Sequence, residues 1–372
     1  MNNKKILLNI YRNFKYLIYK LLYGRIKKII TAKKNKKINI KKINFTSSVS
    51  YNMYGISNGR LYSDTTNDTA FILNNNLIKE PSFQYRFQKD FKIINGNINT
   101  NFVINNGTPN LIKKIKGNVF SLLTGGAGKN NYWHWLFDVL PRIGILEKSN
   151  YKEKPSHYLL PSFSKKYQIQ SMLELKIPFS SLINGESNKH IICDHLIAVD
   201  HPINFGNNPT KSILNIPFWV IKWLKKKYIK NNFANSNLPK KIYINRKLDS
   251  NISARAIINS KEVENTMKKL GFKSVTLSDL TFKKQIELFK NVNFIVGLHG
   301  AGFANMVFSK PGTKIVEIAS HHSGDLFLKL AKNCKLNYKR IIEKNSLSSL
   351  RFQSSHIIVD TNKLKQLISS FR

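Results

Sequence analysis

Carboxylates are scarce in this chain of 372 residues, with 20 Asp and Glu against 61 Lys and Arg, a formal net charge of +41. The basic excess is mostly lysine and goes with abundant Asn and Ile, as A·T-rich coding produces, but that bias does not remove carboxylates. A field this positive draws polyanions, whether nucleic acid, anionic lipid or phosphate-bearing substrates. Cysteine is almost missing too. Cys193 and Cys334 are the only two, which excludes a disulfide framework and a cysteine zinc site and makes a reducing compartment the simpler reading. No uncharged apolar run reaches the roughly 18 residues of a spanning helix. Nor does a small-residue cleavage site follow the N-terminal apolar stretch, as a secretory signal would require. Finally, no Asp-x-Asp occurs. The usual acidic metal clamp for a nucleotide diphosphate is therefore absent, and charge on a leaving diphosphate has to be met by Arg, His and backbone amides.

What is present fits two domains of comparable size preceded by an arm, and a hydrophobic content of 42% is enough for two buried cores. In residues 1–42 every charged side chain is basic, and the first carboxylate of the chain is Asp64. Leu7, Tyr11, Phe14, Ile18 and Leu21 recur there at helical spacing, with Arg12, Lys15 and Lys20 interspersed, ahead of the polybasic tract AKKNKKINIKK. The pattern predicts an interfacial helix on an anionic membrane surface, hence a cytoplasmic protein peripheral on the inner face of the membrane. A solvated basic arm, or a helix packed on the body, is the alternative.

Residues 43–117 are polar, Asn-rich and weakly patterned, with strand-like pieces such as SFQYRFQ and NFVIN, and carry no readable function. From Asn118 the pattern sharpens into strand NVFSLL, a glycine turn, a helix over Tyr132–Lys148, strand HYLLP, a helix over Lys165–Leu175 and strand HIICDHLIAVD. After a loop rich in Asn and Pro comes the basic amphipathic helix IPFWVIKWLKKKYI. A second series then follows: strand KIYINR, helix Lys261–Leu270, strand FKSVTL, helix Phe282–Lys290, strand NFIVG, another glycine turn and helix, and strand KIVEI. Asn259 with Glu262 has capping-box spacing, and Thr281 can cap the next helix. Strand SHIIVD and helix Asn362–Phe371 close the chain. Strands alternating with helices predict parallel pairing. The organisation expected is an arm at 1–42, a Rossmann-like domain at 43–205, a second at 206–345, and a strand and helix at 346–372 that brace the domains.

Two glycine turns carry the chemistry. In GLHGAGFANMVFSKPGTKIVEI, Gly297 to Ile318, backbone N–H groups at a helix start can hold a phosphate. The plain alternative is an ordinary turn between a strand and a helix. His299 follows a strand end there, in the crevice that ligands of open α/β sheets use. Asn305 falls on the next helix. Glu317 lies at the end of the next strand, where it can accept hydrogen bonds from a ribose or form a salt bridge with a lysine. The other turn, in LLTGGAGKNNYWHWLFDVLP, has Gly125, Gly126 and Asn131 leading into a helix on which His134 and Asp138 share a face at i,i+4. Their neighbours Trp133, Trp135, Leu136, Phe137 and Leu140 make that helix apolar over most of its circumference. A buried His and Asp need a reason, and a carboxylate orienting an imidazole makes a base that takes a proton from a hydroxyl. GGAGKNN lacks the Ser or Thr of a P-loop, and GLHGAG is not a dinucleotide fingerprint. Arg246, at the end of strand KIYINR, and Arg255 are the candidate diphosphate partners.

On NYWHWLFDVLPRI, YINRKLDSNISARAIIN and the run TFKKQIELFKNVNFIVGLHGAGFANMVFSKPGTKIVEI, the chain resembles glycosyltransferase family 61, whose bacterial members are often described as capsular polysaccharide biosynthesis proteins. The similarity covers residues from about 118 to the C-terminus. It implies a GT-B fold of two Rossmann-like domains with the active site in the cleft between them. It further implies inverting, metal-independent transfer from a nucleotide sugar, a UDP-sugar first among these, to a hydroxyl of a surface polysaccharide or glycolipid. Carried over residue by residue, His134 and Asp138 lie on the acceptor side with Gly125, Gly126 and Asn131. Arg246, Arg255, Gly297, His299, Gly300, Ala301, Gly302, Asn305 and Glu317 line the donor side. Either His134, helped by Asp138, or Asp138 itself is the base. Ser260 stands where the family has an acidic residue, with Glu262 nearby. No cofactor beyond the nucleotide sugar and no metal is expected, and no nucleic-acid motif accompanies the basic charge. A nucleic-acid-binding protein and a noncatalytic glycan-binding member of the same fold are the competing readings.

Overall fold

The computed structural model describes residues 2–65, 68–82, 85–87, 93–123, 127–204, 207–230, 238–246, 256–321, 323–343 and 356–371. It divides into two compact units, Met1–Ile213 and Leu214–Arg372, and the elements are α/β in both.

In the first unit a long helix, Asn2–Tyr23, precedes strands β1 (Lys28–Ile30), β2 (Ile38–Asn44), β3 (Ser50–Ser57), β4 (Arg60–Thr65), β5 (Asp68–Leu73), β6 (Asn76–Ile78), β7 (Tyr85–Phe87) and β8 (Ile93–Asn95). Then come β9 (Lys113–Ser121), β10 (His157–Leu160), β11 (Leu182–Asn184) and β12 (His190–Val199). Ten of these form one sheet in the order β1-β6-β5-β4-β12-β9-β10-β11, with β3 also on β12 and β2 on β3. The expected parallel pairing holds for β9 with β10 and β12, and for β10 with β11.

The Asn-rich stretch that looked unpatterned instead extends the sheet with antiparallel strands β3 to β5, and β2, from the basic tract assigned to the arm, pairs with β3. Its asparagines have a local job. Asn74 and Asn75, at φ 49° and 55°, make the two-residue turn that joins β5 to β6, a conformation Asn tolerates better than most residues. NFVIN, read as a strand piece, is the short helix Phe102–Asn106, because the Asn101 side chain accepts from the Val103 amide and caps it. In SFQYRFQ the strand is Tyr85–Phe87.

The second unit is a five-stranded parallel sheet of β13 (Lys241–Asn245), β14 (Lys273–Thr276), β15 (Phe294–Leu298), β16 (Lys314–Ser320) and β17 (Asn337–Glu343), ordered β14-β13-β15-β16-β17. Its strands read as apolar runs because helices cover both faces. Val263 and Met267 of helix Ser260–Lys269 and Leu364 and Ile368 of helix Thr361–Ser369 pack on Tyr243, Val296 and Val316. On the other side Tyr228 of helix Phe218–Tyr228 meets Phe282 edge-on at 5.0 Å, and Phe308 completes the cluster.

Thr281 caps helix Phe282–Asn291 as expected, accepting from the Lys284 amide at 3.2 Å. Asn259 does not form the expected capping box. Its oxygen accepts from the Val359 amide at 3.0 Å instead of a helix amide, and its nitrogen donates to the Val359 carbonyl and to Glu262 Oε2, each at 2.9 Å. SHIIVD contributes one bridge, Ile257 to Ile357. Helix Leu326–Asn333 and β17 lie beyond what the sequence pattern indicated.

The strand order fixes where a ligand can sit. From β13 the chain moves out to β14 on one side and returns to β15 on the other, so the crevice beyond the C-terminal ends of β13 and β15 is the switch point of an open α/β sheet. In the first unit, β9 lies between β10 and β12 and its C-terminal end is the equivalent place.

Candidate functional site

In the first unit the helix expected over Tyr132–Lys148 forms in three pieces: α-helix Tyr132–His134, a π turn over Trp135–Val139, and α-helix Pro141–Ser149. Asn131 starts it, its side-chain oxygen accepting from the Trp133 amide at 2.9 Å. Pro141 accounts for the wide turn. Proline has no N–H to donate, and in an unbroken α-helix its ring would strike the carbonyl four residues back. The Leu140 amide accordingly donates five residues back, to Trp135 O at 3.0 Å. Such single π turns recur at functional sites.

His134 Nδ1 donates to Asp138 Oδ2 across this turn at 2.6 Å. Asp138 is 4% exposed, and its Oδ1 is buried without a hydrogen-bond partner among the described residues. Burial alone disfavours charge on both groups. Their attraction outweighs it: the His134 pKa is raised by Asp138, and that of Asp138 is lowered by His134, then His201 and Arg142. Because a carboxylate only accepts, the Nδ1 proton is fixed in place and Nε2 is the ring atom left for a substrate.

Arg142 locks the arrangement to the sheet, its Nε donating to Asp138 O and its Nη1 to Val199 O, each at 3.1 Å. Just past the end of β12, His201 places Nε2 3.9 Å from Asp138 Oδ2. Burial holds the His201 pKa down to about 4, and its Nδ1 lies 3.1 Å from the Ile203 amide nitrogen and 3.3 Å from the Ile203 carbonyl oxygen. The sequence reading missed His201, although its position after a buried strand is the signal that singled out His299. Gly125 and Gly126 lie outside the described residues.

In the second unit Arg246 follows β13 and His299 follows β15, so they flank the switch point. Arg246 Nη2 donates to His299 O at 3.0 Å. Gly300 makes room for it, since a Cβ there would lie 1.7 Å from Arg246 Nη2. Its backbone is extended, φ 169°, so the missing side chain is what matters. Gly302 and Gly297 are likewise close-approach positions, where a Cβ would come 2.9 Å from Leu277 Cδ1 and 3.0 Å from Ile244 Cβ. The helix expected after this turn is a 3-10 helix, Ala301–Phe308. Its first backbone bond runs from the Phe303 amide to Gly300 O, which leaves the Ala301 and Gly302 amides at its open end. Arg255 lies outside the described residues.

Two expected contacts take a different part. Asn305 is fully buried and donates to Gln285 Oε1 at 2.9 Å, pinning the 3-10 turn to helix Phe282–Asn291. Glu317 is fully buried as well. Its oxygens accept from His299 Nδ1 and Tyr338 Oη and, at 2.8 Å, from Arg340 Nε. Burial raises its pKa, but the His299, Tyr338 and Arg340 contacts outweigh that and hold it below the usual carboxylate range. A carboxylate so enclosed orients His299 and is not at hand for a ribose. Tyr338 and Arg340 are two residues apart on β17, and the register sets Arg340 against Glu317. Nothing local in NYKRIIE announces that pairing.

Residues 132–316 match the family model described as Glycosyltransferase 61. The matched span runs from the His134 turn into β16 and holds His134, Asp138, His201, Arg246 and His299, while Glu317, Tyr338 and Arg340 follow it. No curated protein matches the chain.

Proposed function

This chain belongs to glycosyltransferase family 61, and from that premise we propose that it transfers a sugar from a nucleotide diphosphate, a UDP-sugar first among these, to a hydroxyl of a surface polysaccharide or glycolipid, with inversion and without a metal. The observation that carries the proposal is the buried His134–Asp138 pair, with Nδ1 held at 2.6 Å and Nε2 left for a substrate. In this reading the units are the two halves of a GT-B enzyme, the first serving the acceptor and the second the donor. His134 Nε2 takes the acceptor proton as that oxygen attacks the anomeric carbon. The bond from that carbon to the diphosphate breaks, and the nucleoside diphosphate leaves. Arg246, His299 and the amides of Ala301 and Gly302 meet the charge that develops on it, since fixed donors stabilise such charge without reorganising. Asp138 steadies the imidazolium.

A thermal-shift screen of nucleotides and nucleotide sugars tests the donor half, because a ligand that binds only the folded state raises the melting temperature. A nucleoside diphosphate is expected to do so, and Arg246→Ala to abolish the rise. His134→Ala should keep the rise and lower the transfer rate by about a hundredfold or more. If no nucleotide binds, the donor assignment fails. A fully active His134→Ala ends its role as base.

A further inference from the structure

We propose that helix Asn2–Tyr23 seats the protein on an anionic phospholipid bilayer with its apolar side inward, and that the basic cleft between this helix and the body of its unit takes a lipid headgroup phosphate. A helix on the surface of a globular body normally turns its apolar stripe to the core. This one does the reverse. At 3.6 residues per turn Lys15, Tyr16 and Tyr23 share a side, and that side meets the body. Lys15 Nζ lies 3.5 Å from Asn110 Oδ1, Tyr16 packs edge-on to Phe102 at 6.2 Å, and Tyr23 Oη accepts from the Ile112 amide at 3.0 Å. The opposite side stays in solvent, with Leu7 66%, Ile10 61%, Phe14 61%, Leu17 57% and Leu21 79% exposed. A contiguous apolar strip of this kind marks a partner surface.

Charge decides which partner. Residues 1–42 contain no carboxylate. A second copy docking through the same face would bring two cationic collars together, whereas an anionic bilayer answers the apolar strip and the charge at once. No helix among the described residues is long and apolar enough to cross a membrane, so the helix lies in the interface. Beside it is a cavity of about 430 Å³ whose lining includes Arg12, Lys15 and Lys189 with Tyr11, Tyr62 and Phe102, and no carboxylate. Arg12 and Lys15 come from the docking helix itself. Three cations lining one cavity suit a phosphate, and its aromatic wall suits the apolar stem of a lipid.

Sedimentation of the full chain with vesicles tests this, and its outcome is independent of the transferase reading. Binding is expected to vesicles of phosphatidylcholine with phosphatidylglycerol, to weaken as salt is added, and to be absent with phosphatidylcholine alone. Replacing Leu7, Phe14 and Leu21 together by Ser should lower partition at least about tenfold, since three large side chains then no longer leave water. Lys15→Glu with Lys189→Glu should lower it through the cleft. Both variants alter residues away from the cores, and their melting curves show whether the fold is intact. Equal binding to both vesicle types, unchanged partition of the serine variant, or a vesicle-free dimer that this variant dissociates would each overturn the proposal.

Discussion

At the scale of single residues, the His134–Asp138 pair links stability to pH, and under the proposed mechanism it gives the rate a pH limb of its own. The His134 pKa is raised above 6.5 and the Asp138 pKa lowered below 3.8. A raised histidine contributes stability that is complete below its unfolded pKa and is lost as pH rises through the folded one. A lowered carboxylate contributes stability that is lost as pH falls through its folded pKa. The ion pair therefore supports the fold between those limits. A base must be unprotonated, so kcat/KM should rise with pH along a limb whose apparent pKa lies above 6.5. That value belongs to the coupled pair, not to one group. In Asp138→Asn the attraction is gone and burial prevails, so the limb should move to lower pH while the rate drops about a hundredfold or more. A pH profile in which the limb stays put would show that His134 is not the titrating base. These two residues were legible because i,i+4 spacing within an apolar helix is a local signal. Tyr338 and Arg340 were not, since Glu317 reaches them through sheet pairing, as with Arg340 against Glu317.

Elements explain why the site keeps its shape, and Gly300 shows it most directly. Its φ of 169° is open to any residue, but a Cβ would sit 1.7 Å from the Arg246 guanidinium. Gly300→Ala should therefore displace Arg246 without straining the turn. Unfolding free energy should change by no more than about 0.5 kcal/mol, as for most surface substitutions, while the nucleotide-induced rise in melting temperature disappears. Urea titration and thermal shift on the same variant separate the two effects, and an undiminished rise would remove Arg246 from the donor contacts. The elements legible in sequence were those with buried apolar runs, such as Phe294–Leu298 and Lys314–Ser320. Strands β3 to β6 were hard to read where Asn, which also marks loops, makes their turns, at Asn58 and at Asn74 and Asn75. The 3-10 turn at Ala301–Phe308 escaped because what holds it, the Asn305 to Gln285 bond, spans 20 residues. The π turn escaped because the apolar pattern runs unbroken through Pro141, which starts a new helix and whose effect falls on the turn before it.

For the whole molecule, the charge of +41 and the buried clusters act over different distances. Exposed cations sum to a long-range field that raises the local concentration of an anionic donor, and salt screens that field with a Debye length of about 10 Å at 0.1 M. The His134–Asp138 contact at 2.6 Å and the Glu317–Arg340 contact at 2.8 Å lie inside the units, where screening by salt is much weaker. Capture and chemistry should therefore separate under salt. With a soluble acceptor, KM for the nucleotide sugar should rise several-fold between low and physiological ionic strength while kcat stays nearly constant. Initial rates across a salt series measure both. A flat KM would mean that the basic surface plays no part in donor capture and that its excess charge serves another polyanion. A kcat that falls in parallel would mean that salt reaches the buried pair, contradicting its burial. The two results point to different parts of the molecule, so one titration tells whether the field or the site limits turnover.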